Sequence, residues 1–102
     1  EGTRNLVAAA LAAGARRLIA QSIAFSISDA LLAFERQVLD ASLEGIVLRY
    51  GQFYGPGTWV MDSPSSGPVL HVERAADAAI RALTDLAPGR YTVTDDGIEP
   101  AE

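Results

Sequence analysis

The chain has 102 residues, 49 % of them hydrophobic, and a formal net charge of −5 at neutral pH. That length allows one domain at most. With no basic cluster, the charge excludes nucleic acid and an anionic membrane as main partners. All eight basic residues are arginines, cysteine is absent and His71 is the one histidine. Lysine chemistry, disulfides, thiol nucleophiles and cysteine-held metals are therefore excluded for these residues, and no metal site is expected.

The chain begins at Glu1 and its one methionine is Met61, so it reads as a processed piece or a fragment. The stretch "RNLVAAALAAGARR" has the arginine, apolar run and Ala-Gly-Ala of a secretion signal. Its alanine-rich run, acidic start and continuation into a second apolar segment make an ordinary helix the better reading. Leu6, Val7, Ala10, Leu11 and Ala13 recur at helical spacing, and Gly14 falls where a left-handed cap ends a helix. "RLIAQS" is then a short apolar run suited to a strand covered on both faces. No stretch is long enough to span a bilayer, and the expected location is the cytoplasm.

Ser28 is placed to cap a second helix, with Leu31, Phe34, Val38 and Ala41 as its apolar stripe and Arg36–Asp40 as an exposed pair. Gly45 precedes "IVLRY", a second two-sided strand, which runs into the Gly-Pro-Gly corner of "GQFYGPG". "MDSPSSGP" is polar, proline-broken and expected to be flexible. A third helix comes next, with Val72, Ala75, Ala76, Ala79, Ile80 and Leu83 on its inner face and Asp77 and Arg81 outside. Pro88-Gly89 ends it, and "RYTVT" is the last strand before the Asp95-Asp96-Gly97 turn.

Strands alternating with helices predict an α/β fold: a three-layer, Rossmann-like half-domain around a short parallel sheet of about three strands. At least one sheet edge is left unpaired. Ligands of such sheets bind beyond the carboxyl ends of the strands. Those ends are Gln21-Ser22, Arg49 through Tyr54, and Thr94-Asp95-Asp96, all expected on one rim.

Three segments carry a family resemblance. "EGTRNLVAAALAAGARRLIAQS", "GIVLRYGQFYGPGT" and "HVERAADAAIRAL…GRYTVTDD" resemble, in order, stretches of the NAD(P)-dependent epimerase/dehydratase family, the extended short-chain dehydrogenases. The resemblance makes residues 1–102 the C-terminal half of an NAD(P)-binding domain whose glycine-rich first half is not in these residues. It implies an oxidoreductase acting on a nucleotide-sugar or related small molecule, with NAD or NADP as cofactor. It also implies homodimers formed through the first two helices.

The same resemblance places Ser22 at or one position before the family's catalytic serine, with Ile23 as the alternative. It puts Ser22, Tyr50, Gly51, Phe53 and Tyr54 beside the cofactor, and Arg49 and Tyr54 beside the substrate. Glu35 matches a glutamate four residues beyond the family's lysine. That register sets Leu31 at the lysine and Ile27 at the tyrosine of Tyr-x-x-x-Lys, and neither exchanges a proton. The segment from Phe25 to Asp29 looks shortened against the family.

Each residue also has a plainer reading. Ser22 can satisfy backbone groups at a strand end, and Arg49 needs either an acidic residue or a ligand phosphate. Tyr54 can simply pack a Gly-Pro-Gly turn. His71 is read as the start and cap of the third helix, and Asp95 and Asp96 as turn residues. Tyr50 or Tyr54 could replace the missing tyrosine only with a cation to lower a phenol pKa of about 10. Two functions remain: the substrate-side half of an oxidoreductase, or a non-catalytic scaffold and dimerisation module of the same fold.

Overall fold

The computed structural model describes residues 2–101. The chain runs α1 (Gly2–Ala12), β1 (Arg17–Ile23), α2 (Asp29–Leu39), β2 (Glu44–Tyr50), β3 (Gln52–Tyr54), β4 (Val69–His71), α3 (Val72–Thr84), β5 (Gly89–Thr94) and β6 (Gly97–Pro100). The main sheet has the order β1-β2-β5-β6. β1, β2 and β5 are parallel, in register Ser22↔Arg49 and Arg49↔Thr92. The expected α/β half-domain is therefore present, with three parallel strands in the expected order.

The sheet has a fourth strand that the sequence pattern did not announce. β6 returns antiparallel to β5, pairing Thr94 with Gly97 across the two aspartates. The Asp-Asp-Gly signal marked the turn correctly, and Gly97 supplies its positive φ of 124°. The strand beyond that turn, "GIEP", is short and polar, and its proline fits a sheet edge. A second addition is the parallel pair β3–β4. After Tyr50 the chain leaves β5, the Gly51 N–H donating to Val93 O, and joins β4 through Gln52 N–H to Pro68 O.

Period-two alternation divides the core. Ile46, Leu48 and Tyr50 of β2 pack with Leu70, Val93 and Ala75, Ala78 and Ala82 of α3. Val47 turns to the opposite face, against Ala20 and Val38. α2 covers that second face and α1 packs on α2 without burying a residue. The third helix corrects the predicted stripe: Ala75 is inside, but Ile80 and Leu83 are 63 % and 61 % exposed. On an alanine-rich helix several stripes satisfy helical spacing. The one with only methyl groups faces the sheet, which lets the helix approach closely.

Local signals set the helix ends. Gly14 has φ 81°, and Ala15 N–H donates to Ala10 O. Ser28 caps α2, its Oγ accepting from Leu31 N–H at 3.1 Å. At the far end of α3, Arg17 Nη1 donates to the otherwise unpaired carbonyls of Ala82 and Leu86, at 2.8 and 2.6 Å. The same guanidinium pairs with Glu44 at 2.7 Å. Among the described residues no helix is long and apolar enough to cross a membrane.

Candidate functional site

Three groups of side chains meet near the carboxyl ends of the parallel strands, and the two faces of the sheet separate them. On the α2 face lies a buried polar network. On the α3 face an apolar cleft opens beside β1 and β2. Beyond β3 and β4 a polar cluster gathers around Asp95.

Glu35 is the centre of the network and has no exposed surface. It lies on α2 four residues after Leu31 and three before Val38, so helical spacing turns it toward the sheet. Ser22 Oγ donates to Oε2 at 2.6 Å. Arg49 Nε donates to Oε2 at 2.9 Å and Nη2 to Oε1 at 2.7 Å, a bidentate pair. Arg90 Nε approaches Oε1 to 2.8 Å as an ion pair outside hydrogen-bond alignment. Burial pushes the Glu35 pKa up. The hydrogen bonds from Arg49 and Ser22 and the charges of Arg49 and Arg90 outweigh it, so the carboxyl stays below its ordinary value. Arg49 is raised by its bond to Glu35 against the opposing effect of burial.

This network gives both side chains partners within the chain. Arg49 finds an acidic residue, Glu35. Ser22 is 3 % exposed, and its hydroxyl hydrogen goes to a carboxylate instead of to backbone groups. In the sequence Glu35 served only to set register; its place within the Leu31–Val38 stripe was the signal that it is buried. Ile27 is 44 % exposed just before the Ser28 cap, and Leu31 stands in the first turn of α2.

The cleft on the other face is lined by Gln21, Ile23, Phe25, Tyr50, Gly51 and Phe53 and holds about 200 Å³. Three residues expected beside the cofactor, Tyr50, Gly51 and Phe53, thus come together. Ser22 and Arg49 do not join them, because alternation sends their side chains through to the α2 face. Tyr50 and Phe53 form a tilted aromatic pair, centroids 5.4 Å apart at 51°. Burial raises the Tyr50 pKa.

Tyr54 belongs to the third group. Its hydroxyl donates to Asp95 Oδ2, and its ring meets His71 edge-on at 5.2 Å. Asp95 Oδ1 accepts from His71 N–H at 2.9 Å and lies 3.5 Å from Arg74 Nε. Asp95 is thus more than the turn residue it was expected to be: it ties the ends of β3 and β4 and the start of α3 together. Burial pushes its pKa up, but the bonds from Tyr54 and His71 and the Arg74 charge lower it overall.

The hydrogen bond to Asp95, then burial, raise the Tyr54 pKa against smaller opposing effects of Arg74 and Ser63. Neither tyrosine at the rim is moved toward the lower pKa that a neutral-pH base requires, and Arg49 is occupied elsewhere. His71 caps α3 as expected, Nδ1 accepting from Glu73 N–H at 3.1 Å. Its Nε2 would lie 2.8 Å from a Cβ at position 55, so this position, with φ 111°, requires glycine. Among the described residues no three potential ligands gather to hold a metal.

This geometry can be set beside a sequence relative. A curated protein named "3-diazoavenalumate denitrifying reductase", from Streptomyces sp, is 37 % identical over 145 positions, which cover 99 % of this chain and 48 % of the relative. The chain thus spans about half the length of that relative. The aligned stretch is longer than the 102 residues here, so the relative carries intervening residues that this chain lacks. No family model matches, and no solved structure matches.

Proposed function

We propose that this chain is the substrate-side half of an NAD(P)-dependent, reductase-type oxidoreductase related to the epimerase/dehydratase family, acting on a small molecule. The observation that carries the reading is the 37 % identity, along nearly the whole chain, to a protein named as a reductase. The parallel sheet supports it, since strands β1, β2 and β5 end on a common rim with a cleft beside it.

The residues here fit the diphosphate of a dinucleotide poorly. Arg49 and Arg90 are held by Glu35. The first turn of α2 carries Asp29 and that of α3 carries Glu73, which repel an anion from both helix starts. A diphosphate would have to be held by residues outside this chain. This chain's own part is to wall the rim with Ile23, Phe25, Tyr50 and Phe53 and to exclude water there.

A scaffold without chemistry of its own is the second reading for the isolated chain. It is favoured by the committed Ser22 hydroxyl and by two tyrosines whose pKa values move upward. Pairing of two copies through α1 and α2 is part of either reading, with Leu6 and Leu11, 57 % and 41 % exposed, as the apolar surface to cover.

Isothermal titration with NADH and NADPH tests the division of labour. The 102-residue chain is expected to show no micromolar binding, and oxidation of reduced cofactor is expected once a glycine-rich half and a reducible small-molecule substrate, as hydride acceptor, are both supplied. Micromolar binding by this chain alone overturns the division. A lack of turnover with both halves present favours the scaffold. Sedimentation of the same samples reports the pairing, and a monomer at high concentration removes it.

A further inference from the structure

We propose that the cleft between β1 and the Tyr50–Phe53 segment takes the uncharged, planar aromatic ring of the substrate. The inference deepens the oxidoreductase reading by naming a substrate class, and its assignment to substrate rests on that reading. Size is the first argument. A cavity of about 150 Å³ holds benzene, whereas drug-sized ligands occupy roughly 300–1,000 Å³. At about 200 Å³ the part of the cleft that this chain walls accommodates one ring with a substituent.

The lining gives the second argument. Ile23, Phe25, Tyr50 and Phe53 present hydrocarbon and aromatic surface, and Phe25 and Phe53 are 47 % and 37 % exposed. A flat ring removes that surface from water and stacks against a tilted pair already 5.4 Å apart. Among the described residues Gln21 is the one lining side chain, apart from the Tyr50 phenol, able to hydrogen-bond. Its amide both donates and accepts, which suits a neutral substituent such as a phenol or an amide.

Charge is the third. Among the described residues no charged side chain lines the cleft, and the two arginines on neighbouring strands face the opposite side of the sheet in the grip of Glu35. A sugar diphosphate, or a nicotinamide tethered to its ribose phosphate, brings anionic groups that this wall leaves unpaired. A free arene brings none.

Nuclear magnetic resonance titration of the isotope-labelled chain tests the assignment, with 4-hydroxybenzamide, nicotinamide mononucleotide and uridine diphosphate glucose as probes. The benzamide is expected to shift the backbone amides of Gln21, Ile23 and Phe53 saturably. Phe53→Ala should weaken its binding by about tenfold, and Ile23→Trp, which fills the cleft, should abolish it. If the tryptophan variant fails to fold, the partly exposed Phe53 position still decides. Stronger shifts of the same amides by either nucleotide overturn the inference, as does benzamide binding indifferent to the Phe53 change, or no shift at all. The readout needs neither cofactor nor turnover. Its failure therefore leaves the oxidoreductase reading standing, and a failure to oxidise cofactor leaves the ring site standing.

Discussion

Glu35 shows how a charge survives without water. Its two oxygens receive one serine hydroxyl and a bidentate arginine, and a second guanidinium adds its charge. Removing the carboxylate charge leaves two nearly buried cations without a counterion. Glu35→Gln is expected to cost about 3–5 kcal/mol, read as a lower midpoint of urea unfolding. Because total stability of a domain is about 5–15 kcal/mol, the variant should lie close to its unfolding threshold at room temperature. The sign of the pH effect is set by the lowered folded-state pKa. Stability from this group is present above the unfolded value of about 4.3 and is lost as pH falls through the folded value. Unfolding midpoints of the wild type should therefore drop below about pH 4 by an increment that Glu35→Gln lacks. A parallel acid limb in the two proteins would show that the network does not hold the charge.

The helices reach the sheet by different means. α3 approaches on alanines alone, with Ala78 and Ala82 at 1 % and 0 % exposure. α2 meets the start of β2 through Gly45, where a Cβ would lie 2.3 Å from the Val38 carbonyl oxygen and 3.0 Å from its carbon. Both atoms are backbone, so no rotamer change relieves the contact. Gly45→Ala is expected to cost about 3 kcal/mol, lowering the melting temperature by more than about 10 °C. Gly2→Ala, where a Cβ meets nothing within 4 Å, is the matched control and should melt with the wild type. Equal melting temperatures for both variants would mean that α2 and β2 are not so closely apposed.

Among the described residues, the main sheet of the molecule has an unpaired edge. β1 forms one edge of the sheet, and its partner bonds alternate: Arg16 O accepts from Glu44 N–H and Ala24 N–H donates to Tyr50 O. Between those two the even-numbered residues face β2, so the N–H groups of Ile19, Gln21 and Ile23 point to the open edge. Hydrogen exchange should be faster at these three amides than at Val47 and Leu48 of the central strand by at least about a hundredfold. Equal protection would mean that another strand, from a second copy or a further segment, covers the edge. Exposed Leu6, Leu11, Ile80 and Leu83 lie on α1 and α3.

Sequence sufficed for whatever depends on neighbouring residues: the helix-strand alternation, the Ser28 and His71 caps, the left-handed Gly14, and a rim at the parallel strand ends. Periodicity and capping act within a few residues of the chain, so those features are written locally. Other features join distant positions. Arg49 plainly needed a partner, yet that partner lay 14 residues back on a helix, and Arg90 reached the same carboxylate from the neighbouring strand. The alanine face of α3 was chosen over the Ile80–Leu83 face because only small side chains allow close approach to the sheet. Asp95 became a hub because β4 passes beside the end of β5. Strand alternation then put Ser22 and Arg49 on one face and the aromatic cleft on the other, a separation that appears only once strands are in register.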